Sequence, residues 1–284
     1  MIVLVGLASA IIYGVSDFYG GIGSRRLPPI LVSFVSFAVA IVPIAIATPL
    51  FGSVWSSEAV WLGAIAGVAG AVSIWAFYAA LAIAPMSVIS PTVAALAASI
   101  PAVVGIARGE RFTPIGYLAL VVLVVAAALL GITREAGGGR VGVKAIGLAV
   151  LSAIGFGGYN VVIELTPPES QLSPLLVDLV VGAALYAIVV AVIRARRGAA
   201  FPVIGADRRG LGYAVVAGVT LAIANALLVW GLHQGQLAIM GVLSALYPLG
   251  TVLLALTVLR ERLTAVQIVG VVLALGASVA LVFG

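Results

Sequence analysis

Two carboxylates stand inside long apolar runs of this sequence, Asp17 in IIYGVSDFYG and Asp178 in PLLVDLVVG. Asp17 shares a helical stripe with Ser9, Tyr13 and Gly20; Asp178 shares one with Gly182 and Tyr186. Hydrocarbon makes a charged carboxylate costly, so an acid at such a position is by default a site for a proton or a cation. Asp17 is the proton-coupling candidate. Both acids are only about five or six residues from an expected helix end, about 8 Å at 1.5 Å per residue. Contact with lipid headgroups is therefore the rival assignment for both, and the stronger one for Asp178.

Amides and aromatic residues deep in apolar runs form the second group. Trp75 and Tyr78 share a face, as do Phe156 and Asn160, while Asn225 and Trp230 lie in one run. A buried amide is costly unless it meets a partner or a ligand, and Trp or Tyr offers an apolar wall with one hydrogen bond. Trp55, Trp61 and Tyr117 stand nearer the ends of runs and fit an interfacial belt instead. Prolines mark two further runs, Pro91 and Pro101 in one and Pro248 in the other. An interior proline frees a backbone carbonyl, which predicts an interrupted helix where a wet cavity or a neighbour satisfies it. Ser87, Ser90, Ala94 and Pro101 share one stripe beside these breaks; Met240, Ser244, Tyr247 and Thr251 share the other. The candidate solute-binding set is Trp75, Tyr78, Ser90, Asn160, Asn225, Trp230, Ser244 and Tyr247.

Other chemistries find no support. Cysteine is absent and His233 is the single histidine, so thiolate catalysis and a multi-histidine metal site are excluded. Gly137 to Gly142 spells G-x-G-x-x-G without a preceding strand and reads as a linker. Neither HExxH nor a P-loop occurs, and polar groups do not cluster at an interface as a lipid-modifying enzyme would need. No enzyme activity, cofactor or metal is expected. Gly63 with Gly67, and Gly6 with Ala10 and Gly14, have the spacing of close helix packing.

These residues need elements to hold them. Hydrophobic residues are 64% and charged residues 8% of 284, with mean hydropathy +1.32. So few charges cannot cover a soluble fold, which excludes a soluble enzyme, a nucleic-acid binder and a disordered chain. The net charge of +5 belongs instead beside anionic headgroups. At roughly 20 residues per crossing, charges and turns cut the chain into ten spans: 2–22, 29–50, 59–84, 87–107, 114–132, 145–165, 172–194, 210–232, 236–259 and 265–283. The N-terminal MIVLVGLASA lacks a basic n-region and reads as the start of the first span.

The chain also repeats itself. Glu110-Arg111-Phe112-Thr113 follows span four and Glu261-Arg262-Leu263-Thr264 follows span nine; Gly6-Leu7-Ala8 with Gly14 is matched by Gly147-Leu148-Ala149 with Gly155. Thr113 before Pro114 reads as a helix cap, and Thr264 with Gln267 as a capping box; the Glu-Arg pairs would lock the turn or guide gating. The expected fold is all-α and membrane-embedded, ten transmembrane helices in two five-helix repeats, 1–132 and 145–284, joined by the linker 133–144. Five being odd, the repeats are inverted, as in secondary transporters.

Two five-span repeats with a Gly-Glu-Arg-x-Thr-like turn after each fourth helix resemble the EamA-type permeases of the drug/metabolite transporter superfamily, over essentially the whole chain; Arg260 stands where the first copy has Gly109. The resemblance implies a central cavity walled by both halves, and transport of a small metabolite without ATP, by release rather than uptake. From the mixed aromatic, hydroxyl and amide candidates the solute reads as amino-acid-like; the alternative is proton-coupled efflux of hydrophobic cations. The expected partners are that small-molecule solute and the lipid bilayer, not nucleic acid, with monomer and homodimer both open. The expected location is a bacterial-type cytoplasmic membrane. Alternate loops place Arg25, Arg26, Arg134, Arg140, Lys144, Arg194, Arg196, Arg197, Arg208, Arg209, Arg260 and Arg262 on one side and leave Arg108 and Arg111 on the other. The positive-inside rule then predicts both termini outside, whereas family members are often drawn with both inside.

Overall fold

A computed structural model describes residues 2–109, 111–132, 141–198, 201, 202, 205, 207–233 and 246–283. Its helices follow the expected spans in order: α1 (Ile2–Ser24), α2 (Pro29–Leu50), α3 (Ser57–Ile83), α4 (Met86–Ala107), α5 (Pro114–Ile132), α6 (Val143–Glu164), α7 (Ser173–Arg197), α8 (Arg208–His233), α9 (Pro248–Thr257) and α10 (Ala265–Val282). Every end lies within three residues of the expected one except the start of α9, which stands at Pro248 where the span was expected from 236. The first part of span nine, with Met240 and Ser244, falls outside the described residues, as do Glu110 and most of the linker, the G-x-G-x-x-G run largely included. Among the described residues seven helices, α1–α4 and α6–α8, are long and apolar enough to cross a membrane; α5, α9 and α10 are shorter apolar helices.

Local chemistry sets the ends. Ser56 accepts the Ala59 N–H at 3.0 Å to cap α3, and Thr113 accepts the Gly116 N–H at 3.3 Å before Pro114. Thr264 and Gln267 form the reciprocal capping box, at 2.9 and 3.3 Å. Asp207 takes the Arg209 and Gly210 N–H groups at 2.9 and 3.0 Å and pairs with Arg26 at 3.2 Å. The Gly210 N–H, with Arg26 and Arg209, holds its carboxyl below the usual carboxylate range.

One expectation fails: α4 is continuous past Pro91 and Pro101. The carbonyl that Pro101 frees is that of Ala97, and a Cβ on Gly157 of α6 would lie 3.0 Å from it. Gly157 of α6 thus packs closely over that carbonyl, and α4 runs on through both prolines.

Small residues set the helix contacts. A Cβ on Gly63 would stand 2.7 Å from the Pro174 carbonyl oxygen, and one on Gly67 2.8 Å from that of Asp178, so these glycines seat α3 directly on the α7 backbone. Most contacts between the first five helices and the last five correspond when each helix is exchanged for the one five places on, whereas contacts within the first five, such as α4–α5 and α1–α3, have no described counterpart. The α1–α8 packing matches α3–α6, α2–α8 matches α3–α7, and α4–α6 matches α1–α9; α2–α7, α4–α9 and α5–α10 map onto themselves.

Candidate functional site

Hydroxyls along α1 fix one wall. Ser9 Oγ donates to the Ala224 carbonyl at 2.9 Å and Ser16 Oγ to that of Ala217 at 2.8 Å, zipping α1 to α8. Between them the Tyr13 hydroxyl donates to Asn225 Oδ1 at 2.6 Å, and Asn225 Nδ2 donates to the Leu221 carbonyl at 3.0 Å. Thr251 Oγ1 reaches the Gly14 carbonyl at 3.2 Å, tying α9 to the same helix.

Beside this wall lies a cavity of about 470 Å³. Its polar lining is Tyr13 and Asp17 from α1, Tyr159 and Asn160 from α6, Asp178 from α7, Asn225 from α8, Tyr247 at the start of α9, and Ser278 from α10. Apolar surface comes from Phe37, Ile74, Phe77, Phe156, Leu175 and Leu179. Phe77 meets Phe156 edge-on at 5.9 Å between ring centres. Among the described lining residues there is no lysine or arginine. A second cavity of about 230 Å³ shares Ala98 and Leu281 with the first and runs to Arg108, Phe112 and Glu164.

The opposite end is bridged by a carboxylate. Glu261, in the turn before α10, accepts the Met86 and Ser87 N–H groups at 3.0 Å each and the Ser87 hydroxyl at 2.6 Å. Arg25 joins at 3.5 Å and also reaches the Leu81 and Ala84 carbonyls. A carboxylate thus sits on the positive end of α4, binding the end of α1 and the α3–α4 junction to the α9–α10 turn.

Of the sequence candidates, Asp17, Asn160, Asn225 and Tyr247 meet around the cavity. Tyr78 does not: its ring fills the space over Gly20, and its hydroxyl lies within reach of Ser16 and Ser36. Trp75 is half-buried against the core, outside the lining. Ser90 is buried with its hydroxyl unpartnered, also outside the lining. Trp230 belongs to α8, but its side chain, like all of Ser244, lies outside the described residues. Headgroup contact is corrected for both acids, which are 8% (Asp17) and 4% (Asp178) exposed. For Asp178 the cause is the chain before α7, which folds over that end: Ser170, Leu172 and Ser173 are buried, and Ser173 Oγ bonds the Val54 carbonyl at 3.0 Å. Sequence reasoning missed Tyr159, although Phe156, Tyr159 and Asn160 have the i, i+3, i+4 spacing of one face.

The comparisons with known proteins agree with this architecture. The uncharacterized protein MJ1333.1 of Methanocaldococcus jannaschii is 37% identical over 67 residues, 24% of this chain and 49% of that protein, so the match spans about half the relative's length. A protein of known crystal structure, 18% identical, superposes with a TM-score of 0.63 over 98% of this chain and 95% of its own, a likeness of fold. Residues 143–283, which carry α6 to α10 and the Glu261 turn, match the model of the EamA-like transporter family. An integral membrane chain whose helices enclose a mainly apolar chamber studded with acids, amides and hydroxyls, it belongs, by that match, to the EamA-like transporter family.

Proposed function

We propose that this chain is a secondary transporter that moves a small amino-bearing organic solute by alternating access, without ATP. In this reading its ten helices form two inverted halves, 1–132 and 145–284. The carrying observation is the chamber of about 470 Å³, walled by helices of both halves and mixing aromatic rings, amides and acids. The helix contacts that correspond five places apart support the two-half arrangement. So does a relative about half as long as this chain, since 67 residues are 49% of it. Alternating access draws on the asymmetry of the ends, one continuous with a second cavity and the other tied by Glu261.

Proton-coupled efflux of hydrophobic cations is the second reading, favoured by acids without a basic residue among the described lining. Asp17 would carry the proton, with the hydroxyls of Tyr13, Tyr78 and Tyr247 near enough to feel its charge and Thr251 within hydrogen-bonding reach. The test is uptake of radiolabelled 2-phenylethylamine and L-phenylalanine by the purified chain in liposomes, with and without a pH gradient. Movement above protein-free liposomes is expected; none of either probe overturns the reading. Dependence on the gradient beyond that of protein-free liposomes, across which the neutral amine redistributes by itself, separates coupled from facilitated transport.

A further inference from the structure

Resting on the reading of the chain as a carrier of an amino-bearing solute, we propose that the smaller cavity is a docking site for a zwitterion, in which Arg108 takes the solute's carboxylate and Glu164 its ammonium group. The cavity holds about 230 Å³ and is lined by Arg108 just after α4, Glu164 at the end of α6 and Phe112 before α5. Both charged residues are exposed, and neither forms an ion pair or a side-chain hydrogen bond with the other or with any other residue described. Glu164 is also the last residue of α6, where the helix macrodipole disfavours an acid. Arg108, with Arg111, is one of two basic residues that the loop count leaves on this side. Two opposite charges thus face one cavity without pairing, in places that neither folding nor membrane insertion rewards. A solute carrying both signs pairs with both.

The larger chamber supplies an independent observation. Its polar groups divide into bonded and free. Tyr13 is bonded to Asn225, Tyr159 reaches Asp178, and Thr251 lies within reach of Asp17. Asn160, Ser278 and Tyr247 line the chamber without a side-chain hydrogen bond. Ser278 is only 7% exposed, and a buried hydroxyl without a partner is costly unless a guest or water supplies one. Two of these three lie toward the smaller cavity. Asn160 stands one turn before Glu164 on α6, and Ser278 one turn before Leu281, which with Ala98 borders both cavities. Unpaired polar groups therefore continue from the docking site into the chamber along α6 and α10. A solute leaving Arg108 and Glu164 meets a free amide and a free hydroxyl, each able to donate to a carboxylate or accept from an ammonium group. The Phe112 ring, held edge-on to Tyr117 at 6.0 Å, gives an apolar surface beside the two charges. Among the described lining residues of the two cavities, Arg108 is the one base, so it is where a solute carboxylate finds its counter-charge.

The test measures equilibrium binding of L-phenylalanine, 2-phenylethylamine and 3-phenylpropionate to the detergent-solubilised full chain, for the wild type, Arg108→Gln and Glu164→Gln. The wild type is expected to bind L-phenylalanine more tightly than either probe that lacks one of its charges. Arg108→Gln is expected to weaken L-phenylalanine roughly tenfold more than 2-phenylethylamine, which has no carboxylate to lose; that is the size of one charge-assisted hydrogen bond. Glu164→Gln is expected to separate L-phenylalanine from 3-phenylpropionate in the same way, because the latter has no ammonium group. Each comparison decides by itself, so a variant that fails to elute as wild type leaves the other to judge. Equal losses for both probes of a comparison, or undiminished binding of L-phenylalanine, overturn the docking site while the transporter reading stands. Equal or tighter binding of 2-phenylethylamine by the wild type overturns the zwitterion class. If the wild type binds none of the three probes and moves neither L-phenylalanine nor 2-phenylethylamine into liposomes, the transporter reading itself fails, and the docking site with it.

Discussion

At the scale of single residues, the cavity couples its polar groups in pairs, and this makes their roles separable. Asp17→Asn keeps the size of the side chain and removes only its charge. If Asp17 carries the proton, the variant loses accumulation driven by a pH gradient and keeps exchange of solute for solute; an unchanged pH dependence of uptake ends that role. Tyr13→Phe deletes the donor that holds Asn225 Oδ1 at 2.6 Å. An orphaned buried acceptor costs about 1–3 kcal/mol, so the detergent-solubilised variant should unfold at lower temperature. Adding Asn225→Ala should then cost less than it does alone, because the orphan is gone; strict additivity of the two losses would show that the bond is incidental. Asp17, Asn160, Asn225 and Tyr247 were legible in the sequence because a polar group in a long apolar run is conspicuous whatever surrounds it. Trp75 and Tyr78 misled for the converse reason. Where a helix is apolar all round, its period does not mark the face that meets a cavity, and Tyr78 turned out to pack over Gly20.

Elements reveal a longer-range logic in the repeated turn. The capping roles of Thr113 and Thr264 are local and could be read from neighbouring residues. The partner of Glu261 could not: its carboxylate leaves its own turn and binds the first N–H groups of α4, far away in sequence. Such contacts depend on how the helices assemble, which no spacing within the turn encodes. The continuity of α4 was illegible for the same reason, since the backbone that covers the Ala97 carbonyl belongs to α6. If Glu261 holds one end of the chamber shut, Glu261→Ala should both destabilise the fold and loosen that end. Losing a helix cap costs about 0.5–2 kcal/mol, readable as a lower midpoint of thermal unfolding. Because the chain has no cysteine, a single one placed at buried Ala84 reports access cleanly. A soluble maleimide should label it faster in Glu261→Ala than in the otherwise native protein. Equal labelling rates would make the turn a structural cap and nothing more.

For the molecule as a whole, the two ends of the chamber carry different charge, and that asymmetry joins orientation to mechanism. The tied end lies with Arg25, Arg26, Arg208 and Arg209, and with the arginine-rich end of α7. The other end, reached through the smaller cavity, offers Arg108 beside Glu164. Loops rich in lysine and arginine stay in the cytoplasm, so the tied end should face inward and the end with the smaller cavity outward, with both termini outside. A positive-inside count works through insertion of the chain, not through packing of the folded state. Nothing in the helix contacts therefore opposes it, and in the inverted-repeat reading the two halves accept either orientation equally well. A reporter active only in the cytoplasm, fused after Gly284, should stay silent, whereas strong signal reverses the assignment. Labelling gives an independent reading from the same geometry. A cysteine at Ala98, which borders both cavities, should react with an impermeant maleimide added outside intact cells, and 2-phenylethylamine should slow that reaction by occupying the chamber behind it. If that cysteine is reached only after the cells are permeabilised, the opening faces the cytoplasm, and the arginine-rich end must lie outside against the charge rule.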